Sequence, residues 1–452
     1  MIAPARAAAY EVLLAIDAAR ADLPHALAQA RHALGDERDR ALAGEIATGT
    51  LRWQAAFDHV VGRFTKRPPE RLDPEVRVIL RLTIFQLLYL DRVPASAAVN
   101  DAVDLTRRAG KRSAAPLVNA VLRRVSRERR RLPLPPRPED PADREAVLDY
   151  LAITLSHPRW LAARWLDRFG FEAAEAWMRF NNAPAALTLR ANRLRTAPEA
   201  LAALLRERGV DTEPGRYAPD ALIVERGNPL LTDRAGQGLF VVQEEASQLV
   251  ALMTGVEPGE RVLDACASPG GKTTAMAAAM EDRGSIVAAD VRARRIDLLR
   301  RTVSASGAHS IRVVQADASR PLPFADPFDL VLLDAPCSGL GTIRRDPDLK
   351  WRRAEADLDG LAAMQLRMLE HTSAVVRPGG RLIYATCSSE PEENERVVER
   401  FLERGTFRSA PPSLLPPAVQ PLVNAAGHLR TYPFRDGVEA FFAAVLTREV
   451  AE

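Results

Sequence analysis

A chain of 452 residues, 47% of them hydrophobic, has material for several buried cores, about three at the usual domain size. The formal net charge of +3 is small, but ten Lys or Arg stand against three Asp or Glu from Asp101 to Leu132, a local excess that favours nucleic acid over a membrane or an acidic small molecule. Cys266, Cys337 and Cys387 show no C-x-x-C pairing and no accompanying His cluster, which speaks against a metal site or a disulfide framework and fits a reducing cytoplasm.

In chain order, the N-terminal MIAPARAAAYEVLLAIDAAR is interrupted by Arg6, Glu11 and Asp17. It predicts an amphipathic helix and not a signal peptide. No run approaches the roughly 18 uncharged apolar residues a membrane span needs. Residues 1–132 are expected to be all-helical, with helices near Ala5–Ala19, Asp39–Leu51, Ala97–Arg108 and Ala115–Arg127. Another is marked by Val76, Ile79, Leu80, Thr83 and Leu87 on one face, with Asp73 as its cap and Pro74 in its first turn. The last helix runs into six arginines between Arg123 and Arg131, either a solvated helix end or a phosphate-binding stripe.

Five prolines between Pro133 and Pro141 predict a stiff extended linker over 133–143. Residues 144–236 read as a small α/β domain. It has helices at Arg144–Thr154, Trp160–Phe169 and Pro198–Arg208, and strands at Ala185–Asn192 and Ala221–Val224. Arg190, Asn192, Arg193 and Arg195 are candidates there for RNA contact or for surface charge.

From residue 237 to 449 strands and helices alternate, the pattern of a doubly wound, Rossmann-like sheet. Strands are expected at Arg261–Asp264, Ser285–Ala289, Ile311–Gln315, Leu330–Leu333, Arg381–Ala385 and Phe441–Leu446. Ligands of such sheets bind past the carboxyl ends of the strands. The first strand runs into Cys266-Ala267-Ser268-Pro269-Gly270-Gly271-Lys272, where two glycines let backbone approach a ligand and a helix N-terminus faces it. The Walker pattern needs glycine where Cys266 stands, and the dinucleotide pattern G-x-G-x-x-G is absent, so a nucleotide triphosphatase is disfavoured. The next strands end at Asp290, placed for ribose hydroxyls, at Asp317, placed for an adenine amine, and at Asp334. A nucleoside with a charged amino-acid tail, as in S-adenosyl-L-methionine, fits this set of acids and backbone donors. Cys337 follows Asp334, and Cys387 follows the next strand, so two thiols are expected above one cleft. Arg344, Arg345, Lys350, Arg352, Arg353 and Trp351 suggest a lip for an anionic polymer.

Two resemblances cover most of the chain. Arg81-Leu82, Gln86-Leu87-Leu88-Tyr89-Leu90, Val93-Pro94, Ala98-Val99-Asn100 and Val118 to Arg124 resemble the NusB type of RNA-binding helical domain, as it occurs fused to certain ribosomal RNA methyltransferases. Asp264 to Thr274, Asp334 to Gly339, Lys350-Trp351, Thr386-Cys387-Ser388 and the late Asp436-Gly437 with Phe441-Phe442 resemble the RNA cytosine-5 methyltransferases of the Fmu/Sun kind. Ser268 stands where that family usually has Ala, and Val438-Glu439-Ala440 lengthens the usual run from Asp-Gly to Phe-Phe. The resemblance implies methyl transfer from S-adenosyl-L-methionine to carbon 5 of a cytosine in 16S ribosomal RNA, by the family's name cytosine 967. It makes Cys387 the nucleophile, Cys337 the residue that aids release, and Asp334 the partner of the base. Lys272 is left between cofactor carboxylate and active-site charge. The expected protein is a cytoplasmic monomer that needs no metal or membrane and acts on RNA ahead of full subunit assembly. Its rivals are methylation of tRNA or another ribosomal site, and a non-catalytic RNA-binding or antitermination module, against which the intact Cys337 and Cys387 argue.

Overall fold

The computed structural model describes residues 2–450 and divides into two compact units. Of the described residues, the first comprises 2–184 together with 343–355, and the second comprises 185–342 with 356–450.

The first unit is helical. The expected helices appear at Pro4–Asp17, Glu37–Arg52, Pro74–Tyr89, Ala95–Arg108 and Ala115–Glu128. Leu23–Ala33 and Gln54–Thr65 are further helices, shorter than the expected ones, that periodicity did not mark. Helix Pro74–Tyr89 is the core element, with Ile79, Leu80 and Ile84 fully buried. Asp73 precedes it, but its side chain makes no cap bond; Asp73 pairs with Lys111 instead. Arg81 of this helix is clamped between Asp17 and Asp58, so a buried cation meets two carboxylates. The proline tract carries no helix or strand, as expected, but it is anchored: Arg137 pairs with Glu175 and lies over the Phe171 ring. Beyond it, Arg144–Asp149 continues into a wider π turn at Tyr150–Thr154. Helices Arg159–Phe169 and Phe171–Asn182 then bring Trp165 and Trp177 into a stack at 4.1 Å.

The segment 343–355 corrects an expectation. Lys350, proposed for an RNA-facing lip, is 0% exposed and donates to the carbonyl of Arg52 at 2.9 Å. Trp351 Nε1 donates to the carbonyl of Leu51 at 2.7 Å, and its ring packs on the helical core. Arg344 lies over Phe180 and bonds the carbonyls of Ala183 and Pro184. The physical reason is the end of helix Glu37–Arg52, whose last carbonyls lack intrahelical donors. Lys350 and Trp351 supply them with an ammonium and an indole N–H.

The second unit holds two sheets. Strands β1 (Thr188–Ala191), β2 (Asp211–Pro214), β3 (Ala221–Arg226) and β4 (Phe240–Val242) form an antiparallel sheet in the order β2-β3-β1-β4. The larger sheet contains β5 (Arg261–Asp264), β6 (Ser285–Asp290), β7 (Ile311–Gln315), β8 (Phe328–Asp334), β9 (Val376–Thr386), β10 (Phe407–Ser409), β11 (His428–Arg430) and β12 (Phe442–Arg448). Its order is β10-β12-β9-β8-β5-β6-β7, with β11 added on β12. Strands β5 to β9 run parallel, and β12 returns antiparallel to β9. Alternate residues feed two cores. Val262, Leu330, Leu332 and Ile383 pack with helices Glu245–Met253 and Gly271–Ala279. Leu263, Val331, Leu333 and Leu382 pack with helices Asp357–Ser373 and Glu395–Leu402 on the other face. The crossovers reverse between β5 and β8, which makes their carboxyl ends the natural site.

If Trp351 is part of the helical core, Trp351→Ala should destabilise that unit by about 2–3 kcal/mol, below the range for a fully buried tryptophan. Hydrogen exchange should show faster amides in helix Glu37–Arg52. Unchanged exchange together with weaker RNA binding would return Trp351 to the RNA-facing role.

Candidate active site

The site is built from turns at the carboxyl ends of β5, β6, β8 and β9. After β5 the chain passes through 265–271 into helix Gly271–Ala279. The loop is pinned by Ala267 N–H donating to the Ala289 carbonyl and by Gly270 N–H donating to that of Ala267. Gly270 has φ +105°, a conformation that favours glycine, and a Cβ there would also crowd the Leu299 and Thr302 side chains, with Leu299 Cδ1 at 2.9 Å.

Arg190, in β1, locks the start of this helix. It is 4% exposed and donates to the Gly271 carbonyl, to Gln243 Oε1 and, at 2.8 Å, to Thr274 Oγ1. Asn192 is also buried and donates to the carbonyls of Gly238 and Ser306, and Arg195 donates to Ser306 as well. The expectation of RNA contact is therefore corrected for Arg190 and Asn192, whose polar groups hold the two sheets' loops together.

The acids fall into distinct environments. Asp264 is 1% exposed; its Oδ2 accepts from Thr273 Oγ1 at 2.6 Å, while Oδ1 is buried without a hydrogen-bond partner. Burial, aided by the nearby charge of Asp334, pushes its pKa up to about 7. Asp290 is 3% exposed, accepts from the backbone of Arg292 and Ser268, and keeps a second lone pair on each oxygen. Asp317 is half-buried and holds the turn that follows it through Ser319, so part of its accepting capacity is structural. Cys266, also half-buried, is kept as a thiol by burial and by the charges of Asp264, Asp334 and Asp290. Ala267 is buried, Ser268 Oγ donates to the Arg295 carbonyl, and Pro269 is exposed at the tip. The orphaned Asp264 oxygen and the backbone cradle of 266–271 fit a ligand that brings N–H donors and a carboxylate.

Lys272, the second residue of the helix, reaches across to β8. Its Nζ bonds Asp334 Oδ2 at 2.6 Å and lies 5.7 Å from the Phe441 ring. Burial opposes its charge, but Asp334 outweighs this and raises the lysine's pKa. Phe441 follows the lengthened run Val438-Glu439-Ala440, which is buried. Ala440 N–H donates to the Gly341 carbonyl.

The two thiols meet. Strands β8 and β9 pair in parallel with Asp334 opposite Ala385, so Cys337 and Cys387 leave adjacent strands on the same side of the sheet. Their sulfurs are 3.3 Å apart. Gly341 N–H donates to the Cys387 carbonyl at 2.9 Å, and a Cβ on Gly341 would strike the Ala440 carbonyl oxygen at 2.0 Å. The hydrogen bond with Cys387, reinforced by burial, pushes the Cys337 thiol up. One residue with evident bearing on the site was not read from the sequence: Glu393, buried behind both cysteine turns. The only signal was the acidic run Glu390-Pro391-Glu392-Glu393 shortly after Cys387. Among the described residues no cluster of His, Cys, Asp and Glu has the arrangement of a metal site, and no helix is long and apolar enough to cross a membrane.

In the first unit, a second surface is defined by helix Ala115–Glu128. Arg123, Arg124, Arg127 and Arg131 lie on it or just beyond its end. Arg123 and Arg127 border a cleft with the start of helix Ala95–Arg108. Arg124 and Arg131 border another with Arg63 and Lys66, where Arg124 stacks on Phe64 at 4.0 Å.

Comparison with known proteins agrees with these parts. Residues 251–447 match the family model described as 16S rRNA methyltransferase RsmB/F, residues 3–127 match the NusB family, and residues 157–230 match the ferredoxin-like domain of RsmF/B-like methyltransferases. The chain is 34% identical over 418 residues to a protein of Bacillus subtilis named probable ribosomal RNA small subunit methyltransferase B, covering 91% of each. It is 36% identical over 406 residues to the ribosomal RNA small subunit methyltransferase B of Pseudomonas putida, covering 88% of this chain and 89% of that one. The solved structure of PH0851 aligns with a TM-score of 0.79 at 27% identity over 99% of both chains.

Asp264 gives a pH prediction. Its carboxyl is near 3.9 when unfolded and about 7 when folded. A raised carboxyl destabilises the fold only where the unfolded state would ionise it. The penalty is absent below about pH 4, grows as pH rises toward 7, and is complete above that. Thermal unfolding of the ligand-free protein should therefore show Asp264→Asn gaining on wild type across this window. A difference independent of pH would remove the buried-carboxyl account.

Proposed function

The chain belongs to the family of ribosomal RNA small subunit methyltransferase B proteins, and from that premise we propose that it methylates carbon 5 of a cytosine in 16S ribosomal RNA, using S-adenosyl-L-methionine. The observation that carries this reading is the pair of thiols at 3.3 Å, beside the Lys272–Asp334 ion pair at 2.6 Å. A ribosomal RNA methyltransferase acting on a ring nitrogen or a ribose hydroxyl has no need of a nucleophile. Carbon 5 of cytosine is itself a poor nucleophile and needs covalent activation.

The donor would be held by 266–271, with Asp290 toward its ribose, Asp317 toward its adenine, and the free Asp264 oxygen toward its amine. When bound, S-adenosyl-L-methionine supplies an electrophilic methyl group. The target cytosine leaves its stack or lies in an unpaired loop to reach the cleft. The Cys387 thiolate adds to carbon 6, forming a C–S bond and driving electron density to carbon 5, which then takes the methyl group. Asp334, held by Lys272, faces N3 of the base and stabilises the charge that forms there if it carries a proton when the adduct forms. Cys337 then helps remove the carbon-5 proton. The electrons of that C–H bond restore the ring double bond as the C–S bond breaks, and the Cys387 thiolate leaves.

The roles predict an asymmetry. Cys387→Ala should be inactive and form no covalent complex with RNA. Cys337→Ala should accumulate an enzyme–RNA adduct that survives denaturing electrophoresis and requires an unmethylated target. The opposite pattern reverses the roles, and full turnover in both variants removes the two-thiol mechanism.

RNA would also bind the basic clefts of the helical unit. Replacing Arg123, Arg124, Arg127 and Arg131 with Ala should weaken RNA binding and flatten its salt dependence, by about 0.7–0.9 in slope for each phosphate that is no longer neutralised. Filter binding across a salt series measures this, and an unchanged slope leaves the arginines as a solvated face.

A further inference from the structure

Glu393 is fully buried at the end of the turn Pro391–Glu393, and the carboxylate touches both cysteine turns. Its Oε1 accepts the backbone N–H of Ser338, the residue after Cys337, at 2.8 Å. The same oxygen accepts from Gln365 Nε2 at 2.9 Å. Its Oε2 accepts from the hydroxyl of Ser388, the residue after Cys387. The Ser338 and Ser388 hydroxyls also meet, at 3.1 Å. Gln365 donates a second hydrogen to the carbonyl of Pro336, on the near side of Cys337. The glutamate backbone is fixed in turn, because its carbonyl accepts from the Tyr384 hydroxyl at 2.6 Å.

A buried carboxylate is expensive to keep, and Ser338, Gln365 and Ser388 meet this one with neutral donors. An apolar side chain could fill the volume but could not accept from two turns at once. Parallel pairing fixes where the turns begin, yet Cys337 lies three residues beyond the end of β8 and Cys387 one residue beyond Thr386, the last residue of β9, and the β8–β9 ladder itself ends at Asp334 and Ala385. Glu393 makes up that deficit.

We propose that Glu393 is a positioning residue that ties the two cysteine turns together, so that Cys337 is in place to aid proton removal once Cys387 has added to the base. This rests on the two-thiol reading above.

The test compares Glu393→Ala, Glu393→Gln and Ser388→Ala with wild type and with Cys337→Ala. The substrate is unmethylated small-subunit ribosomal RNA, and three quantities are read: multiple turnover, adduct on denaturing gels, and cofactor affinity by calorimetry. Misplacement of a reacting group by about 1 Å costs on the order of a hundredfold, so Glu393→Ala should turn over at least roughly tenfold more slowly. It should bind cofactor as wild type does and accumulate adduct, because release suffers more than addition. Glu393→Gln keeps an oxygen for Ser338 and an amide for the Ser388 hydroxyl, so it should recover most of the rate. If Glu393→Ala loses cofactor binding through misfolding, Ser388→Ala decides, since it removes one arm of the tie and should show the same change in smaller degree. Wild-type turnover in Glu393→Ala overturns the proposal. So does slow turnover without adduct, or a Gln variant as slow as the Ala variant. Absence of adduct in Cys337→Ala would instead sink the two-thiol reading itself, whereas adduct there and none in Glu393→Ala sinks only the tie.

Discussion

The chemistry of this protein depends on one pairing, the parallel ladder between β8 and β9 that sets Asp334 opposite Ala385. Parallel strands need a crossover, here residues 335–375, and the ladder forces the turns that begin and follow this crossover to emerge on the same edge. Asp334 and Cys337 come from one strand and Cys387 from the other. A slip of one residue would turn Asp334 or the approach to Cys387 to the opposite face. The buried side chains on both faces of β8 make such a slip costly, since Leu330, Val331, Leu332 and Leu333 are all fully buried. Apolar packing thus holds the geometry that brings the two sulfurs to 3.3 Å.

Around that ladder the site concentrates negative charge. Asp264, Asp290 and Asp334 stand at three strand ends, with Lys272 paired to the last. Acids outnumber cations there even with Arg295 3.9 Å from Asp290, and one carboxyl is already pushed toward neutrality at Asp264. Such a cleft suits a cationic ligand, because each positive charge it brings relieves repulsion among groups that burial has denied water. The same shortage gives the Lys272 ammonium its weight, since it is bonded directly to the acid that follows the ladder into the first cysteine turn.

Much of this was legible in the sequence because the features were local. Strand ends, the Gly270-Gly271 turn and the acids that follow each strand are written in consecutive residues, and β5 and β7 fall where expected. Long amphipathic helices were equally clear. What escaped depends on tertiary partners. Helix Glu245–Met253 is buried almost all round, so it carries no alternating face to read. Strands β2 and β4 are short edges of the small sheet, recognisable only by pairing. The cations misled most. Arg190 and Lys350 carry the residue types of an RNA surface, yet each is buried against backbone carbonyls, and nothing in a side chain's identity tells which oxygen it will meet. Glu393 was passed over for the same reason, as one acid in an acidic run.

The burial of Lys350 and Trp351 has a consequence for how the protein is made. The carbonyls of Leu51 and Arg52 that they cap emerge from the ribosome early in synthesis, about 300 residues before their donors, at roughly 5–20 residues per second. For tens of seconds the nascent helical unit must hold its shape with that helix end open to water and the indole's place empty. The pieces that complete it arrive only after β8 and the first cysteine turn have been translated. The N-terminal unit is thus first in sequence but cannot be first to finish. A fragment cut at the proline tract would lack the residues that close its own core.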